Sequence, residues 1–317
     1  MRPLRFLATF LLALTLTLGV LGATVFTVNP RGEFSLNFLP PITAGDPDEK
    51  QNAYNRLPSA PDVVVIGNSI AMTLSSEMME RVQGAGFNFA FPGASLADMT
   101  AVVARMEADS KVPENLWVSL DVFSLFAAPR TPRLANHTND GLEDIAALWG
   151  ALMSRSYVQD TFTSIEFAIF GYPQGRFRFD SAGNLPEGFR FSGHIRPEDG
   201  IPRVREFSRL PRVLEPADLP GLQLLLSELN TSGANVTLFI PPMHPFLIDS
   251  EAHSAWSQGL DELRLTAIIA CTAGMRFLDL SKIPAAASPA LFEDFEHYFP
   301  EVASNVATEL GSNRNDC

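Results

Sequence analysis

The sequence predicts an α/β fold in which helices cover both faces of a parallel sheet. Apolar runs such as VVVI at 63–66 and NVTLFI at 235–240 are nearly continuous, as in strands that are buried on both faces. A segment with helical spacing follows each run before the next run begins. Strands that alternate with helices in this way are typical of a parallel sheet.

The elements follow in a regular order on either side of one irregular region. The first strand ends on a glycine before a helix, and the second ends at Pro92-Gly93. Strands are predicted over 62–67, 87–91, 116–126, 235–240 and 276–281, and helices over 72–84, 95–108, 216–232, 253–273 and about 300–310. The region 127–215 contains glycines, aromatic residues and turn signals throughout, and we expect it to be an insertion that forms the substrate surface.

The composition excludes some classes of partner. The 317 residues are 46% hydrophobic and 19% charged, which is typical of a globular protein with a sizeable core. The formal net charge is −13, and the lysines and arginines form no cluster. Binding to a nucleic acid backbone needs a basic patch, so we expect no nucleic acid partner.

The amino terminus predicts a membrane anchor. Arg2 and Arg5 precede Phe6–Val28, a run of 23 residues without a charge. As a helix, this run would be about 34 Å long, enough to cross a bilayer core of roughly 30 Å. A cleaved secretory signal is the alternative, but its apolar core is shorter, and Leu21 stands where a cleavage site prefers a small residue.

The remaining chain is divided accordingly. Residues 1–28 form the anchor, 29–60 a Pro-rich extended tether and 61–312 the α/β domain. The two arginines keep the amino terminus inside, so the protein is expected to be a single-pass protein of the inner (cytoplasmic) membrane. Its domain would then lie on the extracytoplasmic, periplasmic side.

The two cysteines do not indicate a metal or dithiol site. Cys271 lies in the apolar run LTAIIACTAG and is most simply a packed core residue, and Cys317 is the last residue. Neither has a CxxC neighbour. A disulfide between them is an alternative that spacing alone does not support, because a disulfide requires a specific geometry.

Three segments that follow strands hold residues suited to acyl chemistry. Ser69 lies directly after the first strand, where open α/β folds bind ligands. Near the carboxyl terminus, Asp294 and His297 lie three residues apart, so that the carboxylate could orient the imidazole while the imidazole activates Ser69. The backbone amide of Gly93 could stabilise an oxyanion, since no side chain blocks its approach. The structural alternatives are a Ser69 that caps a helix, an Asp294 that does the same, and a surface His297.

Taken together, these segments resemble the SGNH/GDSL esterase superfamily. The match includes Ser69 in VVVIGNSI, Gly93 in FNFAFPGAS and the Asp294-Phe295-Glu296-His297 block, in the order and with the separations of that family. The resemblance covers residues 62–311 and implies a three-layer α/β/α, flavodoxin-like fold. It also implies Ser69 as nucleophile, His297 as base, Asp294 as its partner, and the amides of Ser69 and Gly93 as the oxyanion hole.

Two positions depart from the family pattern. Asn68 stands where the family motif has Asp, and Asp121 lies near the place of an Asn that donates to the oxyanion. An ionised carboxylate cannot donate that hydrogen bond. His244, in the loop after the fourth strand, is either a loop histidine fixed by prolines or a substrate contact at the pocket rim, and Asp121 is placed with it as a substrate-binding residue.

The sequence therefore predicts an extracytoplasmic serine esterase or O-acyltransferase that acts on acyl esters of an envelope carbohydrate or a related substrate. Membrane-anchored family members of envelope acylation systems are similar in organisation, so an envelope acylation complex is a candidate partner. No metal or organic cofactor is implied. The alternative is a catalytically inactive SGNH-like binding or scaffold protein of an envelope assembly, and Asp121 is the feature that favours it.

Overall fold

The computed structural model divides the chain into two compact units. One contains Met1–Ala44 and Asn136–Arg176, and the other contains Gly45–Ala135 and Phe177–Cys317. The residues described are 2–30, 39, 47–122, 124, 153–170, 179, 182–185, 220–245, 260–261, 263–265, 269–293 and 297–317. Most of the predicted insertion at 127–215, and most of the predicted helix at 253–273, lies outside them.

The larger unit is built on a five-stranded, wholly parallel sheet. Its strands are β1 (Val63–Ile66), β2 (Gly86–Asn88), β3 (Asn115–Ser119), β4 (Asn235–Ile240) and β5 (Arg276–Asp279). They lie in the order β2-β1-β3-β4-β5. The predicted α/β class with a parallel sheet is confirmed.

Helices cover the sheet on both faces. Among the described residues, the helices of this unit include α2 (Pro47–Asn55), α3 (Ser76–Glu80), α4 (Leu96–Ala108), α6 (Pro220–Thr231) and α7 (Pro300–Gly311), and those of the smaller unit include α1 (Arg2–Val28) and α5 (Arg155–Phe170). Val64 and Ile66 of β1 face a core that includes α4 and α6. Val63 and Val65 face a second core that includes α7. Because successive side chains of a strand point to opposite faces, an unbroken valine-rich run is what two covered faces require.

Two predicted elements differ from the structure near the sheet edge. The predicted helix at 72–84 is a 3₁₀ helix, Ser69–Thr73, followed by α3, because the Ser75 side chain accepts from Met78 N and begins a new helix. The predicted strand at 116–126 ends at Ser119, and Val122 is already helical.

The prediction of an extended tether over 29–60 is wrong for residues 47–55. Residues 47–55 form helix α2 of the larger unit. Tyr54 is fully buried and packs with Phe87 and Phe89 in the core. The domain therefore begins before residue 61, and a segment that looks like a polar linker supplies part of its core.

The carboxyl-terminal residues lie along the edge strand β5. Asp316 N donates to Phe277 O over 2.9 Å, and the Asp316 carboxylate accepts from Asp279 N over 3.0 Å. Cys317 forms a disulfide with Cys271, with a Cα–Cα distance of 5.8 Å. The disulfide that the sequence left open as an alternative is therefore present, and Cys271 also packs against the core. The tail covers backbone groups that an edge strand would otherwise expose.

Among the residues that the structure describes, one helix is long and apolar enough to cross a membrane, and it belongs to the smaller unit. This span, Arg5–Val28 of α1, has a mean hydropathy of 2.2, and 6% of its most apolar window is buried. Its length and composition match the predicted anchor. α5, which belongs to the same unit, packs against α1.

Candidate active site

Ser69 lies at the carboxyl edge of the sheet, at the start of the 3₁₀ helix that follows β1. Asn68 is the cap of that helix, because its Oδ1 accepts from Ile70 N over 2.9 Å. Ser69 itself is half-buried and does not act as the cap. The structural alternative for Ser69 is thereby removed, since the capping role belongs to its neighbour.

The Ser69 hydroxyl contacts an imidazole from the far end of the chain. His297 Nε2 lies 2.9 Å from Ser69 Oγ, although the two residues are 228 positions apart. His297 is buried, with 9% of its surface exposed. In the neutral tautomer that carries its proton on Nδ1, Nε2 accepts the hydrogen bond from Ser69. A base in contact with a serine hydroxyl is the arrangement that nucleophilic catalysis needs.

A short closed loop holds His297 in place. Phe292 and Tyr298 form an antiparallel bridge, and Glu293 N donates to His297 O over 2.7 Å. Tyr298 is fully buried, and α7 begins two residues later at Pro300. The imidazole is therefore carried by a segment that is anchored in the core on the α7 side of the sheet.

Asp294 comes between Glu293 and His297 in the sequence and is outside the described residues. Its role as the partner of His297 stays a prediction. A carboxylate there would hold the imidazole in the tautomer described above and would stabilise the imidazolium formed during reaction.

Gly93 lies in the turn after β2, the strand next to β1. Phe91 N donates to Gly67 O over 3.2 Å, which extends the pairing of the two strands toward the edge where Ser69 lies. Gly93 is exposed with φ +60°, and a Cβ atom there would meet nothing within 4 Å. A glycine is favoured because of this backbone conformation. Its role in an oxyanion hole stays a prediction.

Asp121 has a structural role in the turn after β3. Its carboxylate accepts from Ser124 N over 3.0 Å and from Ser124 Oγ over 2.7 Å, and only 4% of its surface is exposed. These bonds resemble those of a helix N-cap. They account for a buried carboxylate at this position without a substrate. A substrate contact by Asp121 stays a prediction.

His244 packs beneath the loop that carries His297. It is 3% exposed, and its ring meets that of Phe292 edge-on with a centroid distance of 5.0 Å. Phe292 is one side of the bridge that closes the loop. His244 therefore supports the position of His297 by packing, and its predicted contact with a substrate is not tested by this arrangement.

Sequence reasoning missed two buried residues close to the site. Asn88 Nδ2 donates to Ala71 O and Leu74 O, over 2.9 and 2.6 Å, so it ties the end of β2 to the 3₁₀ helix that carries Ser69. Lys50 is fully buried and donates to Asn88 O over 2.8 Å. An asparagine inside the apolar run FNFAF was a usable signal, because a buried polar side chain must find partners.

Comparison with known proteins gives no assignment: no protein-family model and no curated protein matches the chain. Among the described residues, no group of three or more His, Cys, Asp or Glu side chains is arranged to hold a metal ion.

Proposed function

We propose that this chain is a membrane-anchored, extracytoplasmic serine esterase or O-acyltransferase that acts on acyl esters of an envelope carbohydrate or a related substrate. The observation that carries the proposal is the 2.9 Å contact between His297 Nε2 and Ser69 Oγ. The contact supports the proposal because a serine hydroxyl needs an adjacent base to act as a nucleophile. Ser69 is the nucleophile and His297 the base, with Asp294 as the partner of His297.

The reaction has two steps. Ser69 Oγ attacks the acyl carbonyl carbon while its proton passes to His297 Nε2, and the amides of Ser69 and Gly93 donate to the oxygen that becomes negative. The bond to the alcohol then breaks, and the alcohol leaves with the proton from His297. In the second step, water or a sugar hydroxyl gives its proton to His297 and attacks the acyl carbon. The bond to Ser69 Oγ then breaks, and His297 returns the proton to Ser69 Oγ, so the free enzyme is restored.

The strand order supports a flavodoxin-like, SGNH-type architecture. The order β2-β1-β3-β4-β5 is that of flavodoxin-like sheets, in which ligands bind where the order reverses, between β1 and β3. Ser69 follows β1 directly. The proposed nucleophile thus stands at the position that this topology favours for a ligand.

Two features support the proposed location. α1 has the length and hydropathy of a membrane span, and Arg2 and Arg5 at its start favour an amino terminus that stays inside. The Cys271–Cys317 disulfide fits an oxidising compartment outside the cytoplasm. A domain tethered there would be on the side of the membrane where envelope carbohydrates lie.

Hydrolysis of p-nitrophenyl acetate by the full chain in detergent tests the proposal. Ser69→Ala and His297→Ala should each lower kcat by at least roughly 10²–10⁴-fold, and the double variant should lose little more, because the two groups act as a unit. Ser227→Ala, at an exposed position of α6, is the matched control. A folded wild-type protein without activity above the Ser69→Ala level would overturn the enzyme proposal in favour of a binding or scaffold protein.

The same assay separates transfer from hydrolysis. Addition of a methyl glycoside should yield an acylated sugar if a hydroxyl acceptor competes with water for the acyl-Ser69 intermediate.

Asp294→Asn should lower kcat less than His297→Ala does, since an amide can hold the ring but can also select the other tautomer. An Asp294→Asn variant with unchanged kcat would remove Asp294 from the proposed triad.

A further inference from the structure

In the described part of the chain, the buried positions of α1 lie at one end of the helix. From Arg5 to Val20 every residue of the helix is exposed, whereas buried positions begin at Gly22 and continue at Val25 and Val28. α5 supplies part of this cover, because Tyr157 of α5 and Val25 of α1 are buried in one cluster. The two helices therefore meet near the carboxyl-terminal end of α1.

The length of α1 fixes the level of this contact in a bilayer. A hydrocarbon core of about 30 Å takes about 20 helical residues at ~1.5 Å per residue. Counted from Phe6, the first residue after Arg5, the core ends close to Val25. The Tyr157 hydroxyl lies 3.5 Å from Asn29 Oδ1. Asn29 is about one helical turn beyond Val25 in the direction of the water. Tyrosine is enriched at this boundary between hydrocarbon and water.

The side-chain pattern of α5 is partly the reverse of that of a helix exposed to water. Thr161 and Ser164 are turned inward, each with 2% of its surface exposed. Phe162, Ile169 and Phe170 are turned outward and are 59%, 66% and 81% exposed. Phe162 and Ile169 are seven residues apart and so share one face of the helix. Large apolar side chains grouped on a surface in this way indicate a partner.

We propose that α5 lies in the membrane interface beside the end of α1, with Phe162, Ile169 and Phe170 among the lipids. This inference depends on the proposed membrane insertion of α1 but not on the chemistry of Ser69. The occupant is lipid because α5 packs on the helix that would span the bilayer, at the level where that helix leaves the hydrocarbon core. Glu166, which is exposed between these apolar residues, would lie at the level of the headgroups.

Spin labelling of the full chain in phosphatidylcholine vesicles tests the proposal. A nitroxide attached at Phe170→Cys should collide more often with oxygen, which concentrates in the bilayer, than with a water-soluble nickel chelate. Ile169→Cys is a second variant with the same expected result. The native cysteines are joined to each other and do not take the label under non-reducing conditions.

Two further positions make the outcomes distinguishable. Leu11→Cys reports on α1, and Leu224→Cys, an exposed apolar position of α6 in the other unit, is the matched control. The proposal predicts that the oxygen-to-nickel ratio at Phe170 lies between those at Leu11 and Leu224 and several-fold above the latter. If the label at Leu11 is protected from nickel but the labels at Phe170 and Ile169 show the same oxygen-to-nickel ratio as Leu224, the placement of α5 is wrong and the anchor stands. A Leu11 label open to nickel would overturn that placement together with the anchor, and would leave the Ser69 assignment standing.

Discussion

The ammonium group of Lys50 lies 2.8 Å from the backbone oxygen of Asn88, and both side chains are fully buried. Lys50 also donates to Gly183 O over 3.0 Å and to Ala90 O, and its nitrogen lies 3.8 Å from the centre of the Phe179 ring. This lysine joins α2, the end of β2 and the segment 182–185. Because Asn88 in turn holds the 3₁₀ helix after β1, the cluster supports the turn that presents Ser69.

Lys50→Met should therefore lower the free energy of unfolding by about 3 kcal/mol or more. The variant keeps most of the apolar volume but leaves buried carbonyl oxygens without their donor, and each such loss costs about 1–3 kcal/mol. Urea unfolding in detergent measures the change. Lys282→Met is the control, because Lys282 is exposed. Equal stabilities of the two variants would contradict the role given to Lys50.

Gly67→Ala should destabilise the sheet edge. A Cβ atom at Gly67 would lie 2.7 Å from Ser119 Cβ and 3.1 Å from Ala71 Cβ, so β3 or the 3₁₀ helix would have to shift. Overpacking of this kind costs about 1–3 kcal/mol, and it would also displace Ser69. Thermal unfolding should show a lower Tm.

A control and a rescue accompany this variant. Gly221→Ala should be nearly neutral, since its Cβ would meet Leu96 Cβ at an ordinary 3.7 Å. Adding Ser119→Gly to Gly67→Ala removes the closest atom and should recover part of the Tm. A Tm no higher than the separate effects of Gly67→Ala and Ser119→Gly predict would show that the contact with Ser119 is not the cause.

The sequence predicted the core strands well because their signal is local. β4 coincides with the predicted 235–240, and its residues after the first are all buried, as a continuous apolar run requires. The burial of Lys50 has no local signal, because the carbonyls that bind it come from two distant segments. The cysteine pair is similar, since spacing does not reveal that the tail returns to β5. At the site, the order of motifs pointed to Ser69 and His297, but the 2.9 Å contact required the fold.

Reduction of the Cys271–Cys317 disulfide should lower the Tm. The bridge closes a loop over a sequence separation of 46, for which the chain-entropy model gives about 4 kcal/mol and typical measurements about 2–4. It also holds the tail whose residue Asp316 bonds to β5. Calorimetry with and without dithiothreitol measures the effect. The Cys271→Ser variant should have the lower Tm without reductant, and dithiothreitol should not change it. A change of its Tm with dithiothreitol would show that the reductant does not act through this disulfide.

Esterase activity should fall on acidification. At alkaline pH it should not fall because of ionisation of Tyr298. A protonated His297 ring cannot accept the Ser69 proton, so activity requires the neutral form. Burial raises the pKa of Tyr298 well above its ordinary value, so this neighbour of His297 stays neutral through the accessible alkaline range. A pH–rate profile of kcat/KM for the wild-type protein tests both statements. Activity that rises toward low pH would contradict the assignment of His297 as base.

The central claim is that Ser69 is an activated nucleophile, and covalent labelling by a fluorophosphonate measures this most directly. The folded wild-type protein, incubated near neutral pH and digested, should carry the phosphonyl group on the peptide that contains Ser69. Labelling should be abolished in Ser69→Ala, strongly slowed in His297→Ala and unchanged in Ser227→Ala. A folded wild-type protein that stays unlabelled, or a label that persists in Ser69→Ala, would contradict the account.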